Sequence, residues 1–144
     1  MIRRLELNDI DTIVKLEEEI FGESLGFEML SEEINNPLIW FRVIEIDNKV
    51  IGYIGGYFFM EDGEILNFVI DENYQHQGYG SSLFTSIIDE AYNIGVRRIT
   101  LEVRKSNHKG ISFYTKHNFK EIFVRKHYYK NGEDAIVMMK ELIW

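Results

Sequence analysis

Cysteine is absent from the 144 residues, which excludes disulfides, thiolate metal sites, cysteine nucleophiles and any acyl-cysteine intermediate. Proline occurs once, at Pro37, where it discourages helix in the residue before it. No apolar run approaches the roughly 20 residues that cross a bilayer, and Met1 leads into Arg3-Arg4-Leu5 and a helical pattern rather than a signal sequence. We therefore expect a soluble, cytoplasmic protein with no membrane partner. Basic residues are outnumbered, 16 Lys and Arg against 24 Asp and Glu, so the concentrated basic surface that nucleic acid requires is missing. A cationic or amine substrate suits the net charge of -8 better. The four histidines, His76, His108, His117 and His127, follow no metal-ligand spacing, and no metal is expected.

What is present is apolar patterning sufficient for a continuous core: 45% of residues are hydrophobic, and the length fits one domain spanning 1–144. Asn8 or Asp9 can cap a helix running to about Phe21, with Ile10, Ile13, Leu16 and Ile20 on one face and Glu17-Glu18-Glu19 mostly toward solvent. A short helix is expected over 27–34, closed by Asn35-Asn36-Pro37. Residues 40–46 and 50–59 read as a hairpin, Glu61-Asp62-Gly63-Glu64 as a turn, and 65–70 as a strand. The stripe Leu83, Phe84, Ile87, Ile88, Ala91 predicts a helix over 81–94, stopped by Gly95. A strand over 98–104, a helix capped by Ser106 or Asn107, and a final pair turning at Asn131-Gly132 complete a mixed α/β chain without repeats.

Between strand 65–70 and the following helix lies Gln75-His76-Gln77-Gly78-Tyr79-Gly80. A glycine loop that opens a helix presents free backbone N–H groups at the positive end of the helix dipole, which makes an anion site suited to a diphosphate. The dinucleotide fingerprint fails because Leu83 stands where its third glycine would be, and the P-loop fails because Ser81-Ser82 follow the last glycine instead of Lys and Ser or Thr. Taken alone, the two glycines fit a merely tight turn as well.

The pattern Gln75-x-x-Gly78-x-Gly80, preceded by Asn67 to Asp71, resembles the signature of the Gcn5-related N-acetyltransferase (GNAT) superfamily. Leu101-Glu102-Val103-Arg104, Ser106-Asn107, Ile111-Ser112-Phe113-Tyr114 and Asn118-Phe119 are similar to its later segments in order and spacing, so the resemblance covers nearly the whole chain. Through Arg125-Lys126-His127-Tyr128-Tyr129 and Glu133 to Met138 it looks most like the RimI-type ribosomal-protein alanine N-acetyltransferases. Gly110 and Asn118 depart from residues common in the family, Ala and Gly, and Gly110 should weaken its helix by up to about 1 kcal/mol relative to Ala.

The resemblance implies a mostly antiparallel central sheet, splayed open at its middle parallel pair, with about four flanking helices and acetyl-CoA in the splay. Cofactor contacts would come from backbone at Phe68, Val69 and Ile70, from His76, Gln77, Gly78, Tyr79, Gly80 and Ser81, and from Asn107. A free α-amino group has a pKa of about 7.7–8.0, so attack on a thioester needs a proton acceptor, assigned to Glu102 through a water. Tyr114 would protonate the departing thiolate, an N–H near Val69 or Ile70 would hold the oxyanion, and Tyr128 and Tyr129 would contact an incoming peptide. Each has a plainer alternative: a solvent-facing strand residue for Glu102, core for Tyr114, a helix cap for Asn107, a cross-strand pair for the tyrosines. The expected acceptor is a protein N-terminus, a ribosomal alanine among the choices, by direct transfer. A small amine, a lysine side chain or a non-catalytic acyl-CoA-binding module are the competing readings, and oligomeric state is left open.

Overall fold

A computed structural model describes residues 1–24 and 26–143. Its elements run β1 (Ile2–Arg4), α1 (Ile10–Phe21), α2 (Phe27–Glu33), β2 (Ile39–Ile46), β3 (Lys49–Phe59), β4 (Asp62–Ile70), α3 (Tyr79–Asn93), β5 (Arg98–Arg104), α4 (His108–Lys116), β6 (Lys120–Arg125) and β7 (Ala135–Glu141). The strands form one sheet in the order β1-β2-β3-β4-β5-β7-β6, with β4 and β5 the parallel pair and every other neighbour antiparallel. One face carries α3 and α4 over a core that includes Ile54, Ile65, Leu83, Phe84, Ile87 and Leu101. The other carries α1 and α2 over Ile13, Leu16, Leu30, Val43, Tyr53 and Val69. Arg42 on β2 grips Glu90 on α3 with two bonds, at 2.9 and 3.1 Å, which fixes that helix across the sheet.

Four local expectations are corrected. Residues 2–4 form an edge strand rather than the start of a helical pattern, because Ile2, Arg3 and Arg4 pair with Ile44, Val43 and Arg42; three residues are too few to show a period, and only the partner strand selects their conformation. Asp9 precedes α1 but makes no side-chain cap to it. Its carboxylate instead accepts the Glu6 N–H at 2.8 Å and two bonds from Arg3, at 2.8 and 3.0 Å. Glu17 is buried, 3% exposed, while Glu18 and Glu19 face water. It accepts the Tyr53 hydroxyl at 2.6 Å and the Ser24 hydroxyl at 2.9 Å, partners 36 and 7 residues away that helical periodicity cannot reveal. Finally, β4 begins at Asp62, so Glu64 lies inside a strand and the turn contracts to Met60 and Glu61. Gly63 is there because Phe58 packs over it: a Cβ would sit 2.6 Å from Phe58 Cδ1.

The Arg3 bonds hold the Asp9 carboxyl below its ordinary range. A depressed folded pKa contributes stability that is complete above the unfolded value, about 3.9, and is lost as pH falls through the lower folded value. Asp9→Asn should therefore unfold in less urea than the native protein at pH 7, and the difference should close below about pH 4. Equal midpoints at pH 7 would show that the pair contributes nothing.

The feature that shapes the site is a slip in one strand. Gly55 faces Asn67 whereas Gly56 faces Ile65, so Leu66 is an extra residue in β4. A bulge bends its strand and breaks the local ladder. The β4–β5 ladder ends at Ile65 and Leu101, next to the bulge, although β4 continues to Ile70 and β5 to Arg104.

Candidate active site

Beyond that point the two strands part while each keeps its outer neighbour, Ile70 against Gly52 and Arg104 against Ala135. The Asp71 N–H donates to Ile51 at 2.6 Å, so by strand alternation the Val69 amide also points to β3, and the amides of Phe68 and Ile70 point into the gap. Of the two expected oxyanion donors, geometry thus favours Ile70. Its carbonyl, on the same side, accepts Gln75 Nε2 at 3.0 Å, which ties the following loop to the strand end. Phe68 stacks with Phe84 and Phe113, centroids 5.5 and 5.3 Å away, forming one aromatic wall.

The loop then turns through two left-handed residues, His76 at φ 62° and Gly78 at φ 87°. Gly78 is the helix N-cap, and a non-glycine residue there would be strained although nothing lies within 4 Å of its Cβ position. Helix α3 begins at Tyr79, two residues earlier than its apolar stripe indicates. Its first internal bond runs from Ser82 N–H to the Gly78 carbonyl at 3.1 Å, so the N–H groups of Tyr79, Gly80 and Ser81 precede the ladder. No acidic residue occupies this first turn, which leaves the positive end of the helix dipole for an anion. Gln77 is exposed, with Nε2 3.4 Å from the Asn73 carbonyl. The Ser81 hydroxyl lies 3.3 Å from His117 Nε2. That imidazole, stacked on Phe113 at 4.4 Å, has its pKa lowered by burial and then by Lys140 and Lys116. His117 carried no signal in the sequence.

Asn107 caps α4, its Oδ1 accepting the Gly110 N–H at 2.9 Å. This matches the plainer alternative, and it explains Gly110: a Cβ would fall 2.6 Å from Asn107 Nδ2, so glycine leaves room for the cap.

At the mouth of the gap Glu102 is half-buried on β5. Its Oε1 is 3.6 Å from Arg125 Nε, and its Oε2 is buried with no hydrogen-bond partner among the described residues. Tyr128 and Tyr129 lie in the loop after β6 rather than on a strand, because His127 at φ 53° and Gly132 at φ 85° turn the chain and the Tyr129 N–H donates to the Glu133 carbonyl at 3.1 Å. They are therefore no cross-strand pair; they meet each other edge to face at 5.2 Å, and Arg104 covers the Tyr129 ring at 3.9 Å. Contact with the Glu102 carboxylate, then its charge, raises the Tyr128 pKa. Burial foremost, with Tyr129 second, pushes the Tyr114 phenol up to about 12. The fold thus gathers Glu102, Tyr114, Tyr128 and Tyr129, from a strand, a helix and a loop, around one opening.

Residues 8–119 match the family model described as acetyltransferase (GNAT) family. The chain belongs to that family. A Bacillus subtilis (strain 168) protein provisionally named a ribosomal protein bS18-alanine N-acetyltransferase is 35% identical over 139 residues, covering 95% of this chain and 92% of the other. An N-alpha-acetyltransferase of Sulfurisphaera tokodaii is 31% identical over 156 residues, covering 98% and 92%. Among solved structures, the ribosomal-protein-S18-alanine N-acetyltransferase of Escherichia coli superposes with a TM-score of 0.91 at 26% identity, over 100% of this chain and 94% of that one. The protein is accordingly an N-acetyltransferase of the GNAT type, similar to the RimI group.

In this acetyltransferase two further side chains stand at the opening. Arg125 reaches Glu102 from β6, and Glu64 approaches it from β4. Glu64 lay in an expected turn, and the phenylalanine that makes Gly63 a strand residue is visible only in three dimensions. Among the described residues no helix is long and apolar enough to cross a membrane.

Proposed function

We propose that this acetyltransferase transfers the acetyl group of acetyl-CoA directly to the α-amino group of a protein N-terminus, within a single domain, a ribosomal-protein alanine being one such acceptor. The observation that carries the reading is the gap between β4 and β5, with a bare helix N-terminus at one end and Glu102 and Tyr114 at the other. The residues fit the co-substrate. N–H groups from His76 to Ser81 face a diphosphate, with Gln77 on the exposed side of the loop, while Phe68 and Ile70 offer unpaired amides to the pantetheine arm as an added strand would. The Val69 side chain backs that strand from the α1–α2 core. Asn107 sets the start of α4 and so the place of Tyr114.

Glu102 takes a proton from the acceptor nitrogen through a water, Oε2 being the buried atom without a partner. The Ile70 N–H holds the developing oxyanion, and Tyr114 donates to the departing sulfur. Tyr128, 52% exposed, and Tyr129 flank the entry for an extended peptide. No step needs a thiol of the protein, in keeping with a chain that has no cysteine.

The deciding assay measures CoA release with peptides beginning in Ala or Ser, with polyamines, and with N-terminally blocked lysine peptides. Preference for the free N-termini is expected. Preference for blocked lysine peptides or polyamines would overturn the acceptor, and acetyl-CoA binding without turnover on any acceptor would make the protein a binding module. Gly80→Val tests the cradle separately. A Cβ at Gly80 already touches Ile70 and Phe68 at 3.5 Å and Phe113 at 3.8 Å, so the extra methyl groups overpack the floor of the loop. The branched side chain also stands where backbone must approach the diphosphate, so acetyl-CoA should bind about tenfold or more weakly by calorimetry. Unchanged affinity would move the diphosphate elsewhere.

A further inference from the structure

A second carboxylate faces the opening. Glu64 is the penultimate residue of the β4–β5 ladder and is in register with Thr100. Side chains alternate along a strand, so Glu64, Thr100 and Glu102 share the face opposite the α3 core, where Leu101 and Val103 are buried. Glu102, one residue past the end of the ladder, is then the diagonal neighbour of Glu64, and the two carboxylates are close enough for the Glu102 charge to act on Glu64. Burial first, and the Glu102 charge second, raise the Glu64 pKa, while Arg125 opposes the rise. The charged or titratable groups that face it are Glu102 of β5, Arg125 of β6 and Tyr128 of the following loop, with Tyr57 its register partner on β3.

The reaction has a proton count that one carboxylate serves poorly. An acceptor ammonium carries three protons and the amide product keeps one. Two must leave the nitrogen, one before it attacks and one as the new C–N bond forms and the C–S bond breaks. We propose that Glu64 is a second acid–base residue of the acetyl transfer, receiving from Glu102 the first proton shed by the acceptor and releasing it to solvent. Glu102 is thereby an anion again when the second proton leaves. That second proton restores the Tyr114 hydroxyl after the phenol proton has gone to the thiolate. The balance closes: acceptor ammonium and thioester give amide, free thiol and one proton in solvent. The inference rests on the acetyl-transfer reading and deepens it. Without Glu64, Glu102 would have to unload directly past Arg125, which stands 3.6 Å from its Oε1.

The test is Glu64→Gln, which keeps shape and removes the ionisation, with Glu64→Asp as the conservative variant. At neutral pH kcat/KM for the peptide should fall by about 10²-fold, the lower end of what a proton acceptor contributes, with KM for acetyl-CoA unchanged. The acid limb of the kcat/KM profile should shift to lower pH, because a like charge that opposes ionisation of the pair is gone, and should lose the second ionisation. Glu64→Asp should recover part of the rate and the native limb. In parallel, carboxyl-carbon NMR of the protein without ligands should show the Glu64 titration, raised in part by the Glu102 charge, moving down in Glu102→Gln. A fall in rate with an unmoved acid limb would mean a structural role and overturn the proposal, as would native kinetics or a Glu64 titration unmoved by Glu102→Gln. The NMR measurement uses no acceptor, so it can fail while transfer to an N-terminus stands, and a change of acceptor class leaves it intact.

Discussion

Glu102→Gln is expected to lower kcat/KM for a peptide acceptor by about 10²- to 10⁴-fold at neutral pH while leaving acetyl-CoA affinity unchanged. The amide keeps the size of the side chain and its place on β5 but cannot accept the proton that an α-ammonium, with a pKa of about 7.7–8.0, must lose. Tyr114→Phe should cost turnover too, and magnitude says how the phenol acts. Its pKa is pushed up to about 12, whereas a thiol's reference value is about 8.5, so outright transfer to a free thiolate is uphill by about 5 kcal/mol. On the proposed reading the thiolate leaves beside this buried phenol, where desolvation raises its basicity too, so the proton is best drawn as shared while the C–S bond lengthens. Its loss should then sit nearer 10²-fold than 10⁴-fold. Stopped-flow and steady-state rates for both variants measure this; near-native turnover in either removes that residue from its role.

Tyr53→Phe is expected to be the most destabilising conservative change, by about 1.5–3 kcal/mol. Its hydroxyl is 2.6 Å from Glu17 Oε2, and both residues are at most 3% exposed. The phenol pKa is raised, by burial and then by the Glu17 charge, so the hydroxyl is always a donor. Removing it leaves a buried carboxylate held, among the described residues, by Ser24 alone, at 2.9 Å. Thermal unfolding should drop by roughly 5–10 °C. Adding Glu17→Leu to Tyr53→Phe should recover part of the loss, since an apolar pair leaves no orphaned polar group. A melting temperature unchanged in Tyr53→Phe would show that water replaces the phenol.

Much of the architecture was readable from pattern. The apolar stripe of α3 and the alternation of β5 each carry a period of their own, and the hairpin of β2 and β3 shows as two apolar runs about a polar turn. The glycine loop and the strand that precedes it pointed to one end of the proposed site, and the family resemblance pointed to Glu102 and Tyr114 at the other. What escaped has no local period. Edge strand β1 has three residues, Glu17 sits among acids that do face water, and Glu64 follows a glycine that reads as a turn. The tyrosine pair left its expected strand because backbone at His127 and Gly132 turned left-handed.

Most helices and strands, a glycine turn at the start of α3 and the exclusion of a cysteine nucleophile follow from the amino-acid sequence alone, because each depends on neighbours within a few residues or on a residue type that is missing. Only tertiary structure decided where β4 and β5 separate, that Leu66 is the extra residue beside that point, and that Glu64 shares a face with Glu102. Strand register is a relation between distant segments, and a slip of one residue turns a side chain to the opposite face, so no single segment contains the information.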